Sequence, residues 1–250
     1  MSAKEILIMA WDTATPLCTI ALAKVGEDGK AEVLGEFQSY EGMHSRILPP
    51  EAARLLDGAG LAAKDLDLLA VGRGPGSFTG LRTGLALAKG MSMGANVPVL
   101  GISTLEVLAA MILENNSQAL AAPVIDARHQ EIFGAVYRIG PFDGSGLSLE
   151  CLAEPKPMKP DSFTDFVTLA AGGLEVKIAG PALELTGRES AEGKIWPDNL
   201  QADLSITAPS AVMLARLAAV RFMNGELGDN PALPLYIRQP DIWPSGVVMQ

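Results

Sequence analysis

A helix with a glycine at nearly every fourth position is the feature that most constrains this chain. Residues 71–90 read Val-Gly-Arg-Gly-Pro-Gly-Ser-Phe-Thr-Gly-Leu-Arg-Thr-Gly-Leu-Ala-Leu-Ala-Lys-Gly. An apolar strand over 66–71 runs into the turn Gly74-Pro75-Gly76, which feeds a helix reaching about Gly94. Gly76, Gly80, Gly84, Ala88 and Ser92 fall on one face, and Ala86, Gly90 and Gly94 form a second row beside it. A mid-helix glycine costs about 1 kcal/mol relative to alanine. Such repetition needs compensation from close packing, which a ridge of small residues allows.

The rest of the chain must supply what that helix packs on. Residues 6–11 are an apolar strand, 17–24 and 31–39 are two more, and 26–30 have hairpin-turn composition. A helix runs from His44 to Asp57, with Pro49 and Pro50 tolerable in a first turn, so regular helix begins near Leu48. A strand at 97–101 precedes a helix from Ser103 to Glu114, where Ser103 and Glu106 have capping-box spacing. The order is β-β-β-α-β-α-β-α, and the second half reads as a worn copy. Its strands are expected at 121–127, 131–138, 147–153 and 175–179, with helices at 160–170, 182–190 and 209–224 and a short strand near 194–196. The run from Pro155 to Pro160 reads as a stiff loop. The two α/β lobes, 1–116 and 117–250, are expected to face one another across a cleft at the strand ends.

Bulk properties exclude several classes. The chain has 250 residues, 48% of them apolar, and a net charge of −10. That acidity argues against a stand-alone nucleic-acid binder. No apolar run approaches a membrane span, and no secretory signal is recognisable. Cys18 and Cys151 make no disulfide framework, and the two histidines, His44 and His129, give no metal-ligand spacing. A cytoplasmic protein is expected.

Candidate chemistry centres on a few residues. Asp12 follows the first strand beside Thr13 and Thr15, where it would orient a phosphate or a metal-bound water. An Asx-type turn, in which the carboxylate caps its own backbone, is the reading favoured over it. Asp126, at the hairpin tip of the second lobe, mirrors it, and one carboxylate from each lobe is a phosphotransferase arrangement. Gly74 and Gly76 before a helix can cradle phosphate, but the Lys-Ser/Thr of a P-loop is missing. Arg82 and Lys89 answer an acidic partner or solvate a helix face. His44-Ser45 is a poor nucleophile pair, because adjacent helical residues point apart.

Five stretches together resemble one family. These are residues 8–15 (Ile-Met-Ala-Trp-Asp-Thr-Ala-Thr), 44–50 (His-Ser-Arg-Ile-Leu-Pro-Pro), 74–84 (Gly-Pro-Gly-Ser-Phe-Thr-Gly-Leu-Arg-Thr-Gly), 123–128 (Pro-Val-Ile-Asp-Ala-Arg) and 234–238 (Pro-Leu-Tyr-Ile-Arg). In order and spacing they are similar to the bacterial TsaB (YeaZ) family. The resemblance implies the actin/sugar-kinase/heat-shock-chaperone fold, built of two ribonuclease-H-like lobes. It also implies a role in making N6-threonylcarbamoyladenosine beside the anticodon of tRNAs that read codons beginning with A. The implied role is that of an essential but non-catalytic subunit. The paralogue TsaD transfers the threonylcarbamoyl group, the ATPase TsaE joins, ATP belongs to the partners, and tRNA is met only through the complex. TsaD carries a His-x-x-x-His metal pair where this chain has the histidine-free helix from Ser103 to Glu114.

The implied docking surface on TsaD, also used for self-association when the partner is absent, is His44, Ile47, Leu48, Gly80, Leu81, Gly84, Leu85, Ala88 and Lys89. A vestigial nucleotide site would use Asp12, Gly74, Gly76 and Asp126. Two departures from the family stand out. Trp11 replaces a small aliphatic residue, and Gly180-Pro181-Ala182 replaces a Gly-Asp-Gly loop that lies against adenosine. The competing readings are an ATP-dependent small-molecule phosphotransferase using Asp12 and Asp126, and a metallopeptidase, for which the ligands are missing.

Overall fold

The computed structural model describes residues 5–114, 116–141, 148–186, 196–226, 233–235 and 237. The first half contains β1 (Glu5–Asp12), β2 (Cys18–Gly26), β3 (Ala31–Ser39), α1 (His44–Gly58), β4 (Leu68–Gly72), α2 (Phe78–Ala95), β5 (Val99–Ile102) and α3 (Thr104–Glu114). The second contains β6 (Leu120–Arg128), β7 (Glu131–Ile139), β8 (Leu149–Met158), α4 (Phe163–Ala171), β9 (Val176–Ala179), β10 (Leu200–Ala202) and α5 (Ala211–Met223).

Each half builds one five-stranded sheet, ordered β3-β2-β1-β4-β5 and β8-β7-β6-β9-β10. In both, an antiparallel meander lies on one side of the first strand and parallel strands lie on the other. The expected pair of ribonuclease-H-like lobes is what forms. β1 is central and covered on both faces, which is why residues 6–11 read as an unbroken apolar run. Ile6, Ile8 and Ala10 face one layer, and Met9 and Trp11 the other.

The helical layers cross between the halves. α1 and α2 cover the outer face of the first sheet, and α4 covers the outer face of the second. The inner face of the first sheet is covered by α5, the last helix of the second half: Met213, Leu214, Leu217 and Ala218 pack with Ile8, Ala10 and Val25. Reciprocally, Leu105, Leu108, Ala109 and Ile112 of α3 pack on Ile125, Phe133 and Tyr137 of the second sheet, while Val107 and Ala110 meet α5. A part-buried ion pair, Glu106 with Arg221, links the two exchanged helices.

Several expectations are corrected. α1 begins at His44, so Pro49 and Pro50 sit in its second turn, on the exposed side where the carbonyls they cannot satisfy reach water. Glu106 turns to Arg221 instead of closing a capping box. β8 runs on through Pro155 and Pro157. It is an edge strand, and prolines two apart are compatible with an edge whose alternate N–H groups have no ladder partner. Trp196 is not in a strand; the second sheet ends in β10, parallel to β9. Of the expected helix at 182–190, a single 3-10 turn, Leu183–Thr186, is described, and 187–195 lie outside the described residues.

Candidate functional site: the interlobe cleft and the glycine helix

β1 and α2 lock together at the top of the first sheet. Trp11 near the end of β1 and Thr13 just past it both turn toward α2. Two strand residues advance about 6.6–6.8 Å, close to the 6.0 Å of four helical residues. The match lets the Trp11 indole N–H donate to Gly84 O at 3.0 Å, and the Thr13 hydroxyl to Gly80 O at 2.8 Å. A Cβ at Gly80 would collide with the Thr13 carbonyl, and one at Gly84 would lie 2.5 Å from Thr13 Oγ1 and 3.3 Å from Trp11 Nε1. Trp11, the family departure, is fully buried in this joint.

The glycine ridge therefore faces inward. Gly80, Leu81, Gly84, Leu85 and Ala88 are buried within the chain, as is Leu48 of α1. Placing a docking surface on these side chains is corrected by their burial: four-residue spacing reports a shared face, not which neighbour covers it. His44 and Ile47 are half-buried and Lys89 is exposed. His44 Nε2 lies 3.2 Å from Pro16 O. A carbonyl only accepts, so that nitrogen carries the proton. The second row of α2 is the open one. Ala86, Gly90 and Gly94 are exposed, a Cβ at Gly90 or Gly94 would meet nothing within 4 Å, and neighbouring Met93 is 78% exposed.

At the α2 N-terminus, Ser77 Oγ accepts the Gly80 N–H at 3.2 Å, and the Ser77 N–H donates to Ala14 O at 2.7 Å. Gly76 lies so close to Ala14 O that any Cβ there would collide. Gly74, in the left-handed region at φ 91°, accepts the Thr104 N–H at 2.8 Å.

Between the lobes lies a cavity of about 520 Å³. One wall is Ala14, Thr15, Pro16 and the stretch from Pro75 to Thr79; the other is the β6 end from Ile125 to His129, with Phe133 and Pro181. Gly76 and Asp126 reach this cavity, whereas Asp12 and Gly74 stand behind its wall. The two carboxylates share one local motif. Asp12 Oδ1 accepts the Ala14 N–H at 2.7 Å, and Asp126 Oδ1 accepts the Arg128 N–H at 2.7 Å. Their surroundings differ. Asp12 is fully buried, and its Oδ2 accepts the Thr104 hydroxyl at 2.7 Å. Burial pushes its pKa above the usual carboxylate range. Gly72 abuts the same carboxylate so closely that no side chain fits between them. The Asp126 side chain is 42% exposed, and its Oδ2 lies 3.4 Å from Arg128 Nη1.

Asp12 thus has both oxygens engaged by the protein and none directed into the cavity, so the carboxylate pair of a phosphotransferase is not assembled. Ser77 Oγ is a helix cap, accepting the Gly80 N–H. Among the described residues no group of three or more His, Cys, Asp or Glu is placed to hold a metal ion, and no helix is long and apolar enough to cross a membrane. Sequence reasoning, which placed the loop holding Pro181 against a nucleotide, missed Ile125 and Phe133 as cavity residues. Their apolar types carry no functional signal, and only the sheet topology brings them to the cleft.

Three comparisons bear on this geometry. Residues 39–156 match the family model described as TsaD, tRNA N6-adenosine threonylcarbamoyltransferase. The tRNA threonylcarbamoyladenosine biosynthesis protein TsaB of Escherichia coli K12 is 37% identical over 244 residues, covering 94% of this chain and 96% of that one. TsaB of Haemophilus influenzae is 35% identical over 130 residues, 52% of this chain and 53% of that one. The structure of YeaZ from Pseudomonas aeruginosa superposes with a TM-score of 0.73 at 27% identity, over 92% of this chain and 99% of that one. With relatedness running almost end to end and both lobes superposing, the chain belongs to the TsaB (YeaZ) family of tRNA threonylcarbamoyladenosine biosynthesis proteins.

Proposed function

We propose that this chain is the non-catalytic partner of TsaD in forming N6-threonylcarbamoyladenosine next to the anticodon of tRNAs that read codons beginning with A. Family membership supports the pathway. The absence of an assembled carboxylate pair in the cleft supports the lack of intrinsic activity. The observation that carries the partner role is the outer row of α2. Gly80 and Gly84 are explained by the packing of α2 on Trp11 and Thr13, but among the described residues Gly90 and Gly94 have no contact that requires a glycine. Each costs helix stability, and an approaching helix compensates such a cost. Ala86, Gly90, Met93 and Gly94, with Lys89 and the exposed side of α1, form the face that meets the corresponding helices of TsaD. The same face joins two copies of this chain when TsaD is absent.

TsaE joins the assembled pair. ATP and the transferred group belong to the partners, and this chain needs no cofactor of its own. Its charge of −10 fits tRNA contact made through the complex. The phosphotransferase reading has lost its first carboxylate to the interior.

The docking test uses Gly90→Leu combined with Gly94→Leu, where added side chains meet open space and the fold is kept. Pull-down with TsaD is expected to fall at least tenfold, roughly the 1.4 kcal/mol that a tenfold change represents. Undiminished capture of TsaD by the folded double variant would contradict the docking face. Gly84→Leu is unsuitable for this purpose, since it strikes Thr13 and Trp11.

A further inference from the structure

The cavity between the lobes has a further wall that belongs to neither sheet. Leu235 and Ile237, far down the C-terminal stretch, both line it. Pro234 holds the residue before it away from helix. Each of the two residues is tied to a different body. The Leu235 N–H donates to the Arg73 carbonyl at 2.8 Å, at the end of β4 just before the glycine turn of the first lobe. Ile237 packs on the cluster containing Ile125, Phe133 and Tyr137 of the second sheet. Arg73 is itself anchored, its N–H donating to Ile102 O at 2.9 Å. The segment therefore bridges the two walls of the cleft with one hydrogen bond on one side and an apolar contact on the other.

We propose that Pro234, Leu235 and Ile237 form an intramolecular strap that occupies one side of the interlobe cleft and holds the two lobes at a fixed closure. An open cleft would expose Ile125 and Phe133 to water, and the strap covers them with this chain's own residues. The cleft's occupant is thus a pair of apolar side chains, Leu235 and Ile237, belonging to the chain itself.

Hydrogen–deuterium exchange on the full chain tests this without any partner. The Leu235 amide should exchange at least about tenfold more slowly than in a free peptide of the same stretch. Ile237→Asp, which sets a charge against the apolar wall, should speed exchange by about tenfold or more both at Leu235 and across residues 125–129 and 74–79, while α5 stays protected. Leu235→Pro removes the donor to Arg73 and trims the apolar side chain that lines the cavity, without adding a charge, and should loosen the same two walls. Should the charge in Ile237→Asp unfold the chain, Leu235→Pro alone decides. A Leu235 amide as labile as in the free peptide, or cleft walls with unchanged exchange in a folded variant, would overturn the strap.

Discussion

At Asp12 the carboxylate is enclosed by β1, β4 and α3, with one oxygen on the Ala14 N–H and the other on the Thr104 hydroxyl. Burial raises its pKa from the usual 3.8. A carboxyl whose pKa is raised by folding contributes stability that is fully present below its unfolded value. That contribution is lost as pH rises through the folded value. Asp12→Asn abolishes this loss and keeps hydrogen-bonding groups for both neighbours. Urea melts should show the variant gaining stability relative to the parent as pH is raised from about 4 to about 8; a pH-independent difference would contradict the assignment. Trp11 gives a second residue-level prediction. Trp11→Phe removes the donor to Gly84 O and leaves a small void, and should cost about 1–3 kcal/mol in the same melts.

Among the elements, α2 presents two rows of small residues with opposite consequences. The inner row lies on β1, and a methyl group at Gly80 would meet the Thr13 backbone. Gly80→Ala is therefore expected to destabilise by about 1–3 kcal/mol through overpacking. The outer row is open, and Gly90→Ala should stabilise the isolated chain by about 0.5–1 kcal/mol. Denaturation midpoints shifted in opposite directions, more at Gly80 than at Gly90, separate the rows; shifts of the same sign at both positions would mean that the rows are misassigned. This is also where sequence reading reaches its limit. Spacing at 76, 80, 84 and 88 identified a packed face correctly but could not say that the neighbour was β1, because the bonds from Trp11 and Thr13 join residues 67 and 73 apart in sequence. The prolines misled twice for a related reason. Pro49 and Pro155 disfavour generic helix and strand interiors, yet an exposed helix side and a sheet edge tolerate them, and only tertiary context supplies those. β10 has three residues and no pattern of its own; its pairing with β9 defines it.

Across the whole molecule, the repeat order of strands was legible because each meander is local and its turns are marked by residues such as Gly26, Asp28 and Gly29. The exchange of α3 and α5 between lobes was not, since both helices are apolar on most of their surface and periodicity names no partner. The exchange has a consequence for stability. Without α5, the first sheet exposes Ile8, Ala10 and Val25, so a fragment of residues 1–116 should not unfold cooperatively. The full chain should unfold in one transition seen alike by circular dichroism and tryptophan fluorescence. A cooperative melt of the fragment alone would contradict this coupling. The same architecture leaves the outer face of α2 as the surface on which the proposed function rests. The most direct measurement is threonylcarbamoyladenosine formation on tRNA by TsaD and TsaE, with and without this chain. The expected result is modification that depends on the chain, persists with Asp12→Asn, and falls with the Gly90→Leu and Gly94→Leu double variant. Modification at the same rate without the chain, or abolished by Asp12→Asn in folded protein, would contradict a non-catalytic partner.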